Sequence, residues 1–467
     1  MTNPGTLFVG IMTNTGLWGA IISTIVITML GFILFRTKVL NNESSGAIQK
    51  VIINVIIPFL SFYSFLKNAD KADLKTFGIV FGMSAIYYVL LTSIAILWVK
   101  YLPKAVPKSV IARAQKDYDE WQTHVEFSQR QIFNREVYFE SLQKKHLVTW
   151  LMCIYGSNIL FATPIVLGVY PNGIELGSLS IWNVLYYIGG FGLSFSLLSG
   201  VKFTKQEFKF TMKKAVLNPA FITVIVAIVL WATQYIPGAG STVSELKSEQ
   251  TIQVKYGIDL QTKEPLLEAI SVKYKGTFGP NFSVLYGRDL EHIVTNSHGV
   301  VTHSYIKEWF TYDKLVGAYA PYASGPTGWF DWSVTMPYFA KPITILAGLI
   351  SPLIWIVIGT SLAKTNIKQM FSKGRNWLFL IYKAGLIPLF ILCLVMPFVK
   401  AKLLSPSVGA VLVMTGAVPP GTTVVIYSQH FKVHEDYTSQ VSSLATMLSF
   451  IFIPLWLVVG VVTLNVI

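Results

Sequence analysis

The sequence has little charge and little cysteine for its length. Only 13% of its 467 residues are charged and 53% are hydrophobic, whereas about 25% of the residues in a soluble domain are charged. The two cysteines, Cys153 and Cys393, both lie inside apolar runs, so we infer neither a disulfide nor a metal site. The composition excludes a soluble globular domain and a disulfide scaffold, and it predicts an all-α polytopic membrane protein.

The sequence also lacks the motifs of common nucleotide-binding and hydrolytic enzymes. It contains no Gly-x-x-x-x-Gly-Lys-Ser/Thr phosphate loop and no Gly-x-Ser-x-Gly nucleophile turn. These absences exclude transport driven by an ATPase domain within this chain. We therefore predict no enzymatic activity, no cofactor and no metal.

About ten apolar runs are long enough to cross a bilayer. They lie near residues 15–35, 47–66, 77–99, 149–169, 180–200, 216–236, 341–363, 377–399, 407–428 and 439–464. The loops after spans 1, 3, 5 and 7 are rich in Lys and Arg, which predicts that they face the cytoplasm and that both termini lie outside a plasma membrane. The excess of Lys and Arg in these cytoplasmic loops accounts for the net charge of +14, so no nucleic-acid partner is expected.

Two segments outside the spans divide the chain. We predict spans 1–3 in residues 1–102, a cytoplasmic arm in 103–148, spans 4–6 in 149–236, an extracellular insert in 237–338 and spans 7–10 in 339–467. A 3–4 repeat of apolar residues predicts that the arm is an amphipathic helix or a short coiled coil, which packs on its own protein or on a separate partner. Alternating apolar and polar residues predict that the insert is a small β-rich domain.

Span 9 contains a stretch that a continuous helix cannot cross. Pro419 and Pro420 remove two backbone donors, and their rings clash with the preceding turn. Within a bilayer, such a break is tolerated only where protein or a water-filled cavity satisfies the freed backbone groups. The stretch from Gly416 to Thr423 is therefore a candidate binding site, and a packing kink without a ligand is the alternative.

The two halves of the chain have the pattern of a 5+5 inverted repeat. Five spans in each half give the halves opposite orientations. In both halves the second span contains a proline and the fourth span is interrupted. Span 4 is expected to break between Gly156 and Pro164, and span 9 at its double proline. Paired interruptions of this kind indicate a substrate site in a secondary transporter.

Polar residues near these breaks supply a candidate pocket. They carry neutral hydrogen-bonding groups or shape the breaks: Asn54, Ser61, Ser157, Asn158, Thr163, Pro164, Thr415, Pro419, Pro420, Thr422 and Thr423. Helix–helix contacts are the alternative role for such residues. Lys383 is the one ionisable residue well inside a span, and no Asp or Glu lies deep enough to pair with it. It is expected to attract an anionic substrate, with snorkelling to the cytoplasmic interface as the alternative.

The motifs in several spans resemble those of the auxin efflux carrier family, which includes plant PIN carriers and bacterial malate permeases. The resemblance is carried by Val418–Thr423, by Pro58–Phe62, by Asn158 with Pro164, by Gly359–Ala363 and by Lys383 with Pro388. It implies a fold similar to that of bile acid sodium symporters, in which broken spans 4 and 9 cross within a moving transport domain. It also implies a carboxylate anion as the transported molecule.

From these observations we expect a secondary transporter of small organic anions, such as malate or a similar dicarboxylate, that works by an elevator movement. The expected partners are that anion and the lipid bilayer, and a homodimer is left open. The alternatives are a membrane sensor with a ligand-binding core and an anion channel.

Overall fold

The computed structural model describes residues 5–6, 9–10, 13–69, 71–122, 133–170, 174–199, 213, 216–236, 328–364 and 367–467, with the backbone of strands between 243 and 321. Most of these residues lie in apolar helices. A helix satisfies its backbone groups within its own segment, which is what hydrocarbon surroundings require.

The first half contains eleven α-helices among the described residues. They are α1 Thr15–Arg36, α2 Asn42–Val51, α3 Ile57–Tyr63, α4 Lys71–Ala85, α5 Leu91–Ala105, α6 Lys108–Gln122, α7 Arg135–Ile154, α8 Asn158–Val169, α9 Ile174–Tyr186, α10 Ser194–Ser199 and α11 Pro219–Ala232. A short 3₁₀ turn, Thr233–Tyr235, follows α11.

The second half contains nine more in its described part. They are α12 Trp332–Thr335, α13 Pro337–Gly348, α14 Ile350–Lys364, α15 Ile367–Ser372, α16 Gly374–Leu380, α17 Ile387–Lys400, α18 Pro406–Thr415, α19 Thr422–His430 and α20 Glu435–Val466.

Seven continuous helices are long and apolar enough to cross a membrane, and three shorter apolar helices accompany them in the described residues. The short ones are α8, α18 and the stretch Pro219–Tyr235. The seven long helices and these three coincide with the ten predicted spans, because α8 and α18 are parts of spans 4 and 9. The polytopic membrane class is thereby confirmed, whereas the inverted repeat stays a prediction.

Four helical segments of the described chain have the wider π form, and two of them directly precede a proline. Ile52–Ile56 lies before Pro58, and Ile381–Leu386 lies before Pro388. Proline cannot donate the backbone hydrogen bond of a regular helix and crowds the preceding turn, and a local π turn accommodates both effects. Spans 2 and 8 therefore continue past their prolines without a break.

Spans 1 and 7 pack at close range through glycine. A Cβ added at Gly31 would lie 2.7 Å from the Cα of Ile356, and one added at Gly359 would lie 2.6 Å from the backbone nitrogen of Phe32. Small residues let helix backbones approach closely within a membrane, where dispersion contacts drive association. Glycine at these two positions therefore holds α1 against α14.

We expect Gly359→Leu to destabilise the protein by about 3 kcal/mol, because a larger side chain would force the two backbones apart. Thermal unfolding in detergent measures this loss. Gly19→Leu is the matched control, since Gly19 lies on the partner helix α1 and nothing lies within 4 Å of a Cβ added there. Equal midpoints for the two variants would contradict the close packing.

The chain divides into two compact units. The first comprises Met1–Pro58, Lys75–Ile222 and Gly348–Ile467, and the second comprises Phe59–Leu74 and Thr223–Ala347. In the second unit, the side chain of Gln234 donates to the backbone oxygen of Lys67 (3.1 Å), and the ring of Phe62 packs against Phe330 and Trp332. These contacts join the helix ends of that unit.

The second unit also contains the strands that follow span 6. They are β1 Val243–Glu245, β2 Gln250–Ile258, β3 Pro265–Val272, β4 Lys275–Gly279, β5 Phe282–Thr295, β6 Val301–Asp313 and β7 Ala318–Pro321. Their order in the sheet is β1-β4-β5-β6-β7-β2-β3, and every neighbouring pair is antiparallel except β2 with β7. The extracellular location of this segment and its role as a separate domain stay predictions.

The predicted arm is helical where the structure describes it. Its first part is α6, and its second part is the start of α7, which continues into span 4. Tyr118 of α6 contacts Phe133 just before α7, with ring centroids 5.6 Å apart. The apolar repeat predicted for the arm includes Val125 and Ile132, and these two residues lie outside the described part of the chain.

Candidate functional site

The two broken spans cross each other and are joined by backbone hydrogen bonds. The backbone nitrogen of Gly421 donates to the oxygen of Tyr155 (2.7 Å), and that of Ser157 donates to the oxygen of Pro419 (2.8 Å). Gly156 and Pro420 form an antiparallel bridge between these bonds. The break in each span thus satisfies the backbone groups that the other break leaves open, as hydrocarbon surroundings demand.

The break in span 4 is shorter than the sequence predicts. We expected an interruption from Gly156 to Pro164, but α7 ends at Ile154 and α8 already begins at Asn158. Pro164 lies inside α8, where it removes one hydrogen bond without ending the helix. Thr163, beside it, is likewise buried within α8. Three residues suffice for the break because span 9 supplies their hydrogen-bond partners.

Side chains from spans 8 and 3 cap the end of α7. Nζ of Lys383 donates to the backbone oxygen of Cys153 (2.8 Å), and the hydroxyl of Tyr87 donates to that of Ile154 (2.9 Å). Lys383 is only 1% exposed. The C-terminus of a helix carries a partial negative charge, which a cation stabilises. Lys383 therefore neutralises this half-helix end from within the protein.

The opposite half-helix ends have no such cap. Neither Ser157 at the start of α8 nor Gly421 at the start of α19 caps its helix through a side-chain hydrogen bond. The first amides of a helix have no partner within it, and they carry a partial positive charge. Two partly positive helix starts thus lie at the crossing, while the negative end of α7 is neutralised.

A cavity of about 530 Å³ reaches the crossing. It extends from buried Asn158 and Thr423 to exposed Lys364, Gln429 and Asp436. Lys364 and Asp436 are the two charged side chains among its lining residues, and the rest of the lining is neutral. A solute can therefore approach both uncapped helix starts along a wall of little net charge.

The structure brings some of the predicted site residues to this cavity and leaves others elsewhere. Those that line it are Ser157, Asn158, Pro420, Thr422 and Thr423. Pro419 is buried at the crossing itself. Thr415 bonds the backbone oxygen of Leu412 in its own helix α18 (2.6 Å).

Two predicted members come from span 2 and do not line the cavity. Asn54 is exposed, and its amide donates to the backbone oxygen of Lys50 on the same helix (2.9 Å). Ser61 is buried and belongs to the second compact unit. Lys383 is not among the lining residues either, because it caps α7 as described above.

The sequence reasoning missed a polar network around Asn158. Its Nδ2 donates to Oδ1 of Asn183 (2.9 Å) and to the hydroxyl of Tyr88 (3.2 Å). Across the crossing, the hydroxyl of Tyr186 lies 3.3 Å from Oγ1 of Thr423. Asn183 carries a side-chain amide inside span 5, where polar groups are costly, and this placement is the signal that could have identified it.

These features define a polytopic membrane protein with two crossed, broken helices at a solute-sized cavity. Residues 329–457, which include both halves of span 9, match the family model described as membrane transport protein. The resemblance to the family that includes the auxin efflux carriers is confirmed over this stretch, and the match indicates a membrane transporter. No curated protein matches the chain.

Proposed function

We propose that the protein is a secondary transporter of small organic carboxylate anions, with malate or a similar dicarboxylate as the first candidate. The observation that carries this proposal is the asymmetry at the crossing. Two uncapped helix starts lie at the cavity, and the competing negative end of α7 is already held by Lys383. A carboxylate placed there accepts hydrogen bonds from the amides of Ile159, Thr422 and Thr423, which have no partner among the described residues, and it gains from both helix dipoles.

The position of the cavity supports a site that is accessible from the cytoplasm. Its outer lining includes Gln49, Asn218, Lys364, Gln429 and Asp436. Gln49, Asn218 and Lys364 adjoin loops that the basic residues assign to the cytoplasm, and the same alternation assigns the loop after span 9, between Gln429 and Asp436, to that side. We propose that this conformation is the inward-facing one of a transporter that alternates access.

An elevator movement fits the way in which the breaks are joined. The backbone bonds between 155–157 and 419–421 couple spans 4 and 9 at their centres, so the two broken spans move together. We propose that they carry the bound anion as a unit, while the glycine-packed pair of spans 1 and 7 stays in place as a scaffold.

A thermal-shift panel of carboxylates with the purified protein tests the substrate class, because a ligand that binds the folded state raises its unfolding temperature. We expect stabilisation by malate, which Asn158→Leu reduces by at least tenfold in apparent affinity. Asn465→Leu is the matched control, since Asn465 is exposed and its side chain bonds only the backbone of its own helix α20 (2.7 Å).

Uptake of labelled malate into proteoliposomes then distinguishes transport from its alternatives. Saturable uptake that Asn158→Leu removes supports the transporter. Binding without flux would instead identify a sensor, and currents too large for alternating access would identify a channel. If no carboxylate raised the unfolding temperature, the proposed substrate class would be wrong.

A further inference from the structure

The amide of Asn158 is held by two hydrogen bonds at the end of the cavity. An asparagine amide carries two N–H donors and one carbonyl acceptor. Both donors of Asn158 are used within the protein, one by Oδ1 of Asn183 and one by the hydroxyl of Tyr88. Its oxygen accepts no hydrogen bond from the described residues, so it is the polar atom of this amide that is left for a solute.

The two partners that impose this orientation are themselves firmly placed. Asn183 is 3% exposed on α9. The ring of Tyr88 stacks on that of Tyr155, with centroids 5.4 Å apart, and packs edge-on against Tyr87 at 4.8 Å. With Asn183 in its observed orientation, rotation of the Asn158 amide would place its oxygen against Oδ1 of Asn183, and two acceptors repel each other at that distance.

The cavity end thus combines two kinds of hydrogen-bonding surface. The uncapped starts of α8 and α19 present donors, which suit a carboxylate. Asn158 is 3% exposed and lines the same cavity. Its oxygen presents an acceptor, and a carboxylate placed against it would be repelled. A ligand that satisfies both surfaces carries a carboxylate and, close to it, a hydrogen-bond donor.

We propose that the crossing selects carboxylates that bear a neighbouring hydroxyl or N–H donor, and that Asn183 is a positioning residue that sets this selectivity through Asn158. This inference rests on the proposed function, and it specifies the substrate class within it. A site with a buried acceptor discriminates against analogues that lack the matching donor, because binding them leaves the acceptor unpaired.

Malate and succinate provide the test, since they differ by one hydroxyl group. We expect the wild-type protein to bind malate about tenfold more tightly than succinate, the factor that corresponds to one hydrogen bond. The measurement is the affinity of each acid for the purified full-length protein, followed by competition of each acid against labelled malate in proteoliposomes.

The variants separate positioning from stability. Asn183→Leu keeps the branched shape of the side chain and removes the acceptor, so the malate-to-succinate ratio is expected to fall towards one. Asn183→Asp keeps an oxygen that can accept a hydrogen bond from Nδ2 of Asn158. Its malate-to-succinate ratio is therefore expected to stay close to that of the wild type. Tyr88→Phe removes only the second hydrogen-bond partner of Asn158. If Asn183→Leu does not fold, a lower malate-to-succinate ratio in Tyr88→Phe supports the proposed orientation of the Asn158 amide.

Thr92→Val is the matched control. It removes the hydrogen bond between Thr92 and the hydroxyl of Tyr155 (3.0 Å) in the same buried layer, and it leaves the partners of Asn158 untouched. Its ratio should stay near tenfold. A general loss of stability would change affinity for both acids equally and leave the ratio unchanged.

Each outcome decides one of the two proposals. Equal binding of malate and succinate by the wild type, or an unchanged ratio in both Asn183→Leu and Tyr88→Phe, overturns the selectivity while leaving the carboxylate transporter intact. If neither those two acids nor any other carboxylate binds, the proposed function itself is wrong. Tighter binding of malate that depends on Asn183 supports both.

Discussion

Replacing Lys383 with methionine is expected to abolish transport and to destabilise the protein by about 2 kcal/mol. Methionine keeps most of the length of the side chain but removes the charge. The backbone oxygen of Cys153 then loses a charge-assisted hydrogen bond inside the membrane, which contributes about 1.5–3 kcal/mol. The partial negative charge at the end of α7 also becomes uncompensated beside the anion site.

Malate uptake into proteoliposomes and thermal unfolding measure the two effects of Lys383→Met. Lys400→Met is the matched control, because Lys400 ends the same span on the surface. Uptake by the control should equal that of the wild type. If Lys383→Met transported normally, the neutralised end of α7 would have no part in anion binding, and this lysine would serve the packing of the crossing alone.

Gly156→Val is expected to have the second largest effect, a loss of at least tenfold in malate affinity together with lower stability. A Cβ at this position would lie 2.5 Å from Cγ2 of Val418 and 2.9 Å from Nζ of Lys383. Val418 is fully buried, so it cannot move aside cheaply in a close-packed interior. The added side chain would therefore separate the two breaks and displace the cation from α7.

The corresponding control is Gly82→Val in span 3, where nothing lies within 4 Å of an added Cβ. It tests whether a branched residue in place of a membrane glycine is harmful in itself. Affinity is compared by thermal shift with malate, and backbone pairing by hydrogen exchange at Ser157 and Gly421. Unchanged exchange and affinity in Gly156→Val would contradict the tight crossing.

The sequence predicted the spans and the break in span 9 because both follow from local chemistry. Apolar length decides a span, and two adjacent prolines stop a helix wherever they occur. The single proline in span 4 was misleading. Pro164 lies within α8, and the true break at 155–157 depends on hydrogen bonds from span 9, which no local pattern reveals.

The composition of the site was predictable only in part, for a similar reason. Asn158, Thr422 and Thr423 adjoin the breaks and do line the cavity. Asn54 is polar and lies in an apolar span, but its helix turns it to the outside. The partners of Asn158 come from spans 3 and 5, so the orientation of its amide depends on tertiary packing that spacing along the chain does not encode.

The shortness of the half-helices has an electrical consequence. With 12 residues in α8 and 10 in α18, each is about 15–18 Å long, roughly half of the hydrocarbon thickness. The crossing therefore lies near the middle of the membrane, and Lys383 lies there within the transmembrane field. In an elevator movement that includes span 8, whose Lys383 is bonded to the end of α7, this ammonium would travel with the crossing, at about 2.3 kcal/mol per charge per 100 mV for a full crossing. A bound monovalent anion would cancel the charge of Lys383, so the membrane potential would act only on the return of the empty carrier. A bound dianion would give the loaded carrier a net negative charge, and the potential would then act on it in the opposite direction.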